Sequence, residues 1–343
     1  MWQQYTYRDH DGTHPYAVYT PDNYSVGTAV PLIVMLHGCS QTALDFAAGT
    51  LMNQLADQYN FIVAYPQQTS KYNQNLCWNW FLPAHQVRGS GEPGSIVGIV
   101  QEIQQNTEAW TIDATRIYAA GISAGGAMAT ILGTTYPDLF AAIGIHSALE
   151  YQAATNIGKG LRAMRHGGPD PLEQGIVAHQ AMGDFARIVP CIMFHGMKDS
   201  TVVATNGDQV IQQWMKTNEL ASHGSYTTDF SRPSSVVPGQ VLNGYSYITA
   251  RWNDSNGATI QEYWKIGHMG HAWSGGSPAG SYTDPLGPNA SLAMYTFFMA
   301  HSLPKDEEAS EEASIEQEAE AHLHKSLRER LIDLLTLRRG KQS

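Results

Sequence analysis

The sequence predicts an α/β protein, with a mostly parallel sheet and helices on both of its faces. Three observations predict it. Continuous apolar runs of strand length recur at residues 31–36, 61–65 and 191–194, as in strands buried on both faces. Between them, apolar residues recur at helical spacing, for example Ile96, Ile99, Val100 and Ile103. A further apolar run ends at Ala120, meets Gly121-Ile122-Ser123-Ala124-Gly125, and passes into a small-residue helical pattern.

The elements follow in order. Residues 5–19 alternate aromatic and polar side chains and then meet Thr20-Pro21-Asp22-Asn23, which reads as early antiparallel strands and a turn. The run 31–36 is the first buried strand, broken by His37-Gly38-Cys39-Ser40-Gln41. Residues 42–59 read as one helix, with Phe46, Met52, Leu55 and Tyr59 near one face. The strand 61–65 ends at Pro66, and the loop after it holds Cys77-Trp78-Asn79-Trp80-Phe81. Asp113-Ala114-Thr115-Arg116 is expected to turn the chain into the serine-bearing strand. Tyr136-Pro137-Asp138 ends the next helix, and 140–146 reads as another strand. Residues 150–187 are mixed, with Gly167-Gly168-Pro169-Asp170-Pro171 in the middle, and read as an irregular excursion capping the site. A strand at 190–194 and a helix at 203–220 follow, then a loop or hairpin at 226–237. Two paired strands, 245–252 and 260–266, flank Asn253-Asp254-Ser255-Asn256-Gly257. A glycine-rich loop, 267–287, leads to a last apolar helix at 291–301.

Composition bounds the function. Hydrophobic residues are 43% of the chain and charged residues 15%, as in a globular body and unlike a disordered chain. A net charge of −11 argues against a nucleic-acid partner. No apolar run is long enough to span a membrane. Residues 1–10 lack the apolar core of a signal peptide, so the expected location is cytoplasmic, with an extracellular one as the alternative if a leader has been removed. The cysteines are Cys39, Cys77 and Cys191; an odd count rules out a disulfide framework but leaves room for one bridge, whose pairing spacing does not reveal. Past residue 303 the composition changes. Residues 306–320 carry eight acidic side chains and no basic one; residues 321–343 carry six basic and two acidic. There Leu323, Leu327, Leu331, Leu334 and Leu335 share one helical face. The expected division is a catalytic domain at 1–303 and an acidic linker with an amphipathic helix at 304–343. The stripe at 321–337 suits either docking on the body or a homo-oligomer contact, with a granule or membrane surface as a third reading.

The Gly-x-Ser-x-Gly turn is where the chemistry starts. A serine on a sharp turn between a buried strand and a helix is a nucleophile elbow, and the helix beginning after it aims N–H groups at developing negative charge. Ser123 is therefore the candidate nucleophile. Asp199 lies just past the 191–194 strand, where such sheets place their sites, and is the candidate acid. The general base is His268 or His271, both in the loop after the last strand; spacing alone does not choose. The pair could suggest a metal, but no third ligand of matching spacing stands nearby, so no metal and no cofactor is expected. The His37-Gly38-Cys39 turn places the Cys39 N–H to form an oxyanion hole with that of Ala124. Other histidines, such as His146, are expected to satisfy local hydrogen bonds.

Together these segments resemble the polyhydroxybutyrate depolymerase family of esterases, α/β-hydrolases related to feruloyl and acetylxylan esterases. The resemblance rests on Leu36-His37-Gly38-Cys39-Ser40-Gln41, Cys77-Trp78-Asn79-Trp80-Phe81, Gly121-Ile122-Ser123-Ala124-Gly125-Gly126, His195-Gly196-x-x-Asp199-x-x-Val202 and Gly270-His271-Ala272-Trp273-Ser274-Gly275-Gly276. It covers about residues 5–303 and leaves the tail outside. It implies Ser123 as nucleophile, Asp199 as orienting acid and His271 as base, since the family motif is Gly-His-x-Trp. The expected activity is a serine carboxylester hydrolase acting on oligo- or poly(3-hydroxybutyrate) or another short-chain ester. Feruloyl or acetylxylan ester hydrolysis is the alternative. A catalytically silent binding or scaffold protein is the alternative of another class, and a peptidase on the same fold ranks below both. Trp78, Trp80 and Trp273 are expected to line the pocket with flat apolar area.

Overall fold

The computed structural model describes residues 1–305; the acidic linker and amphipathic helix expected beyond them lie outside the described residues. Residues Met1–Leu303 form one unit. Its centre is a set of parallel strands: β3 (Val30–Leu36), β4 (Ile62–Pro66), β5 (Ile112–Ile122), β6 (Ala142–His146), β7 (Cys191–Gly196) and β10 (Thr259–Ile266). The antiparallel hairpin of β1 (Trp2–Asp9) and β2 (Gly12–Tyr19) extends the sheet on the β4 side. Strands β8 (Ser235–Gln240) and β9 (Ser246–Asn253) extend it antiparallel beyond β10. The full order is β1-β2-β4-β3-β5-β6-β7-β10-β9-β8.

All seven residues of β3 are buried, and alternation sends them to two cores. Leu32, Val34 and Leu36 join the core with α3 (Gly91–Gln105), α4 (Ala124–Thr135) and α7 (Thr205–Ala221). Ile33 and Met35 join the opposite core with α1 (Ala43–Thr50), α2 (Met52–Tyr59) and α8 (Ala290–Met299). Burying each such side chain stabilises the fold by about 1.5–3 kcal/mol. That is why continuous apolar runs, not alternating ones, mark the central strands.

The expected turn after β2 is present, with the Tyr24 N–H donating to the Pro21 carbonyl at 3.1 Å, and a second turn at His10 and Asp11 joins β1 to β2, where the Asp9 carboxylate accepts the N–H groups of Asp11 and Gly12 at 2.9 Å each. Three local expectations change. The helix expected over 42–59 is two helices, because Leu51 adopts φ 60° between them. Residues 113–116 belong to β5, where Asp113 accepts from the Thr115 N–H (3.0 Å) and pairs with Arg116 (2.6 Å). The excursion 150–187 is not irregular. It holds α5 (Ile157–His166), capped by Asn156, and α6 (Pro171–Met182), capped by Asp170 with a proline in the first turn. Among the described residues no helix is long and apolar enough to cross a membrane.

Where the chain leaves β6 toward this helical excursion it buries Glu150, and neither carboxyl oxygen finds a hydrogen-bond partner among the described residues. Burial, and then the charge of Asp170, push its pKa up to about 8 from an ordinary 4.5. The folded protein therefore holds this proton over a range where the unfolded chain has released it. Stability falls as pH rises through that window. Glu150→Gln should leave stability unchanged at acid pH and raise it at alkaline pH, by on the order of a few kcal/mol. Urea unfolding at both ends of the window checks this; an equal effect at both would contradict it.

Candidate active site

Ser123 stands between β5 and α4 with φ 56° and ψ −121°, a conformation that only a heavily constrained turn imposes on a residue with a side chain. The flanking glycines supply the constraint. A Cβ on Gly121 would lie 2.5 Å from the Gly125 carbonyl oxygen, and one on Gly125 would run into the carbonyl oxygens of Leu36 and His37. The Ser123 N–H donates to the His146 carbonyl at 2.9 Å, pinning the turn to the end of β6. Ser123 makes no side-chain cap bond to α4, so the first N–H groups of that helix, Ala124 foremost, stay available.

The loop after β3 faces this turn. On either side of Cys39 the backbone is committed: Gly38 N–H donates to the Gln41 side chain (2.9 Å) and Ser40 N–H to the Asn75 carbonyl (2.7 Å). Behind it His37 is fully buried. Its Nε2 accepts from the Gln68 N–H (3.0 Å) and its carbonyl from the Trp78 indole N–H (3.0 Å). Burial pushes His37 down to about 4, so the ring is neutral at ordinary pH. A disulfide joins Cys39 to Cys77, the pairing that spacing left open, and Cys191 is free and buried.

Asp199 sits three residues past the end of β7. Its Oδ2 accepts from His271 Nδ1 at 2.7 Å, and its Oδ1 accepts the N–H groups of Thr201 (2.9 Å) and Val202 (2.8 Å). Burial alone would raise its pKa. The hydrogen bond and charge of His271, the charge of His195 and the Val202 N–H outweigh burial and hold it below the usual carboxylate range. Gly196 has no room for a Cβ because the Met269 and Gly270 carbonyls press on it, and Lys198 N–H donates to Met269 at 3.0 Å. The histidine loop is thereby laid on the end of β7. His268 is exposed and faces Tyr245, so this packing brings His271, and not His268, to the acid. Ser123 itself has no hydrogen-bonded protein partner for its hydroxyl among the described residues, a common state of unliganded sites.

The three tryptophans depart from expectation. Trp78, Trp80 and Trp273 are 4%, 5% and 1% exposed, and Trp78 lines a cavity that Ser123 does not. Trp78 supports the His37 carbonyl. Trp80 packs edge-on against Phe81 at 5.5 Å. Trp273 stacks on His146 at 5.1 Å and donates to the Ser291 hydroxyl at 3.0 Å. Each indole N–H or ring edge finds its partner inside the body, which offsets the cost of burying so large a side chain. His146 is a local support too: its Nε2 accepts the Ser274 N–H at 3.0 Å. The sequence reading missed Tyr282. It is half exposed, within 3.4 Å of the Ser40 hydroxyl, and sets its ring edge-on to His271 at 6.5 Å. Only its place in the glycine-rich loop hinted at it.

A serine on a strained strand-to-helix turn, at the same strand ends of a mostly parallel sheet as a hydrogen-bonded aspartate–histidine pair, defines the α/β-hydrolase class. The chain belongs to the esterase PHB depolymerase family, whose pattern its residues 14–229 match. It is 34% identical over 243 residues to the poly(3-hydroxyalkanoate) depolymerase C of Paucimonas lemoignei, covering 70% of this chain and 54% of that protein. It is 31% identical over 236 residues to feruloyl esterase B of Neurospora crassa, covering 67% of this chain and 76% of that protein. The chain thus spans about half the length of the first relative and three quarters of the second. The acetyl xylan esterase of Aspergillus awamori shares the fold, with a TM-score of 0.65 at 22% identity over 79% of this chain and 94% of that one.

Two outcomes follow from this geometry. Denatured, unreduced protein should show one reactive thiol in a colorimetric titration; three would contradict the Cys39–Cys77 pairing. Gly125→Ala should cost about 1–3 kcal/mol of stability, the usual price of overpacking, together with turnover. Unchanged melting and activity would contradict the contacts described for that turn.

Proposed function

We propose that this protein is a serine carboxylester hydrolase working through an acyl-enzyme. The observation that carries it is the 2.7 Å hydrogen bond from His271 to a buried Asp199, on the strand-end face that also presents Ser123. Asp199 holds the Nδ1 proton and leaves Nε2 as the base. His271 takes the Ser123 proton as the hydroxyl attacks the ester carbonyl. The Cys39 and Ala124 N–H groups stabilise the tetrahedral oxyanion. The alcohol leaves with the proton from His271, and water repeats the sequence on the acyl-enzyme. This acid–base pair is what a silent scaffold would have no need to keep.

The proposed substrate is a short-chain ester of the oligo(3-hydroxybutyrate) type, by likeness to the Paucimonas relative; the feruloyl and acetylxylan alternatives draw on the other two proteins. The Cys39–Cys77 disulfide supports an oxidising compartment outside the cytoplasm, against the expectation from the first residues. The 1–303 catalytic domain and self-association through 321–337 remain part of this reading.

Hydrolysis of 4-nitrophenyl butyrate tests the mechanism. Ser123→Ala and His271→Ala should each lose about 10⁴-fold or more in kcat with melting unchanged, while His268→Ala stays near wild type. Near-wild-type turnover by folded Ser123→Ala would falsify the proposal. Comparing hydroxybutyrate oligomers with methyl ferulate and acetylated xylan then ranks the substrates.

A further inference from the structure

A second cavity, of about 270 Å³, opens at the carboxyl end of β4, beside the β1–β2 hairpin and the start of α3. Neither Ser123, Asp199 nor His271 lines it. Its size is near the low end for small-molecule sites, which run from about 300 Å³ upward, and suits a single ring. One wall is aromatic. His14 and Tyr72 stack at 5.2 Å with their planes 14° apart, and Trp78 stands with them. Ile96 and Ile99 of α3 add apolar surface.

The polar groups are arranged for hydroxyls. His85 Nδ1 accepts the Glu92 N–H at 3.1 Å, and burial keeps this ring below its ordinary pKa. Its proton therefore sits on Nε2 and is free to donate. His14 is fixed the other way round. Its Nε2 lies 3.0 Å from the Asp9 carboxylate and 3.2 Å from the Ser95 hydroxyl, which leaves Nδ1 as the ring nitrogen without a protein partner among the described residues. The lining holds Asp11 and Glu92 and no lysine or arginine, so the wall offers an anionic ligand no cation to pair with. Glu92 is itself occupied: it accepts from the Asn79 backbone and side chain, at 2.6 Å each, and from the Gln68 side chain.

We propose that this cavity is a second ligand site, separate from the Ser123 cleft, for a neutral polyhydroxylated ring such as a single sugar residue. The ring's apolar face packs on the aromatic wall, and its hydroxyls, each both donor and acceptor, bridge His85 and His14. The site touches the oxyanion loop from behind. Trp78 lines the cavity and holds the His37 carbonyl; Gln68 lines it and its N–H holds the His37 ring. The proposal is independent of the esterase reading, because binding is read without turnover.

The test is ligand-observed saturation-transfer NMR and calorimetry on the full-length Ser123→Ala protein. Methyl β-D-glucopyranoside is the probe, with cyclohexanol and butyrate as the apolar and anionic controls. The probe should bind saturably with millimolar affinity, and the controls at least about tenfold more weakly. Ala84→Trp, at the cavity mouth, should abolish binding. If that variant melts early, Asp11→Trp blocks the mouth from the hairpin side. In wild-type protein the probe should not compete with 4-nitrophenyl butyrate. No saturable binding up to about 50 mM, equal binding of either control, binding that survives a folded blocking variant, or competition with the ester would each overturn the assignment.

Discussion

The close approach of the β5–α4 turn to the end of β3 is the constraint on which the rest of the site depends. Gly125 lies so near the Leu36 and His37 carbonyls that no side chain fits. That contact does two things at once. It holds Ser123 at a positive φ that lifts its hydroxyl off the sheet. It also sets the Ala124 N–H opposite the loop carrying the Cys39 N–H, whose position follows from the same strand end. The proposed nucleophile and the two proposed oxyanion donors thus lie on segments joined by one backbone contact, an arrangement that would need little reorganisation as charge develops.

A second layer keeps this arrangement rigid. The loop after β3 is held by the Trp78 indole and the Gln68 N–H on His37, and by the disulfide to Cys77. In the chain-entropy account a bridge closing a loop of this length stabilises the fold by about 4 kcal/mol. The histidine loop is held by Gly196 against Met269 and Gly270, and by Ser274 on His146. His146 and His195 are buried, and burial lowers the pKa of both. Burial thus disfavours the charged form of both rings, while Asp199 gives its shortest hydrogen bond, 2.7 Å, to His271.

Elsewhere the molecule tolerates groups whose charge its body disfavours. Glu92 is pushed up to about 7 by burial, with hydrogen bonds from Asn79 and Gln68 pulling the other way, and Glu150 to about 8 with no such relief. What Asp199 has and both glutamates lack is the hydrogen bond and charge of a histidine. Two backbone N–H groups and an imidazole hold a buried carboxylate's pKa down, whereas burial with no hydrogen-bond partner and another acid's charge push it up.

Much of the plan was legible in the one-dimensional pattern. Continuous apolar runs announced strands buried on both faces, since only a sheet covered by helices demands them. The glycines around Ser123 announced the strained turn, because few other backbones require two of them at that spacing. Helix breaks were harder: the left-handed Leu51 carries no glycine or proline to mark it. Spacing named His268 and His271 as equals, and only the packing of their loop on β7 brings His271 to Asp199. Trp78, Trp80 and Trp273 read as pocket walls by composition; the structure turns them inward, where their polar atoms and ring edges find partners. The sequence by itself determined the sheet, its two covered faces and the nucleophile turn, because local sterics and burial period are written along the chain. The choice of base, the cysteine pairing and the supporting role of the aromatics were decided by tertiary structure, because distance between remote segments exists only once the strands are ordered.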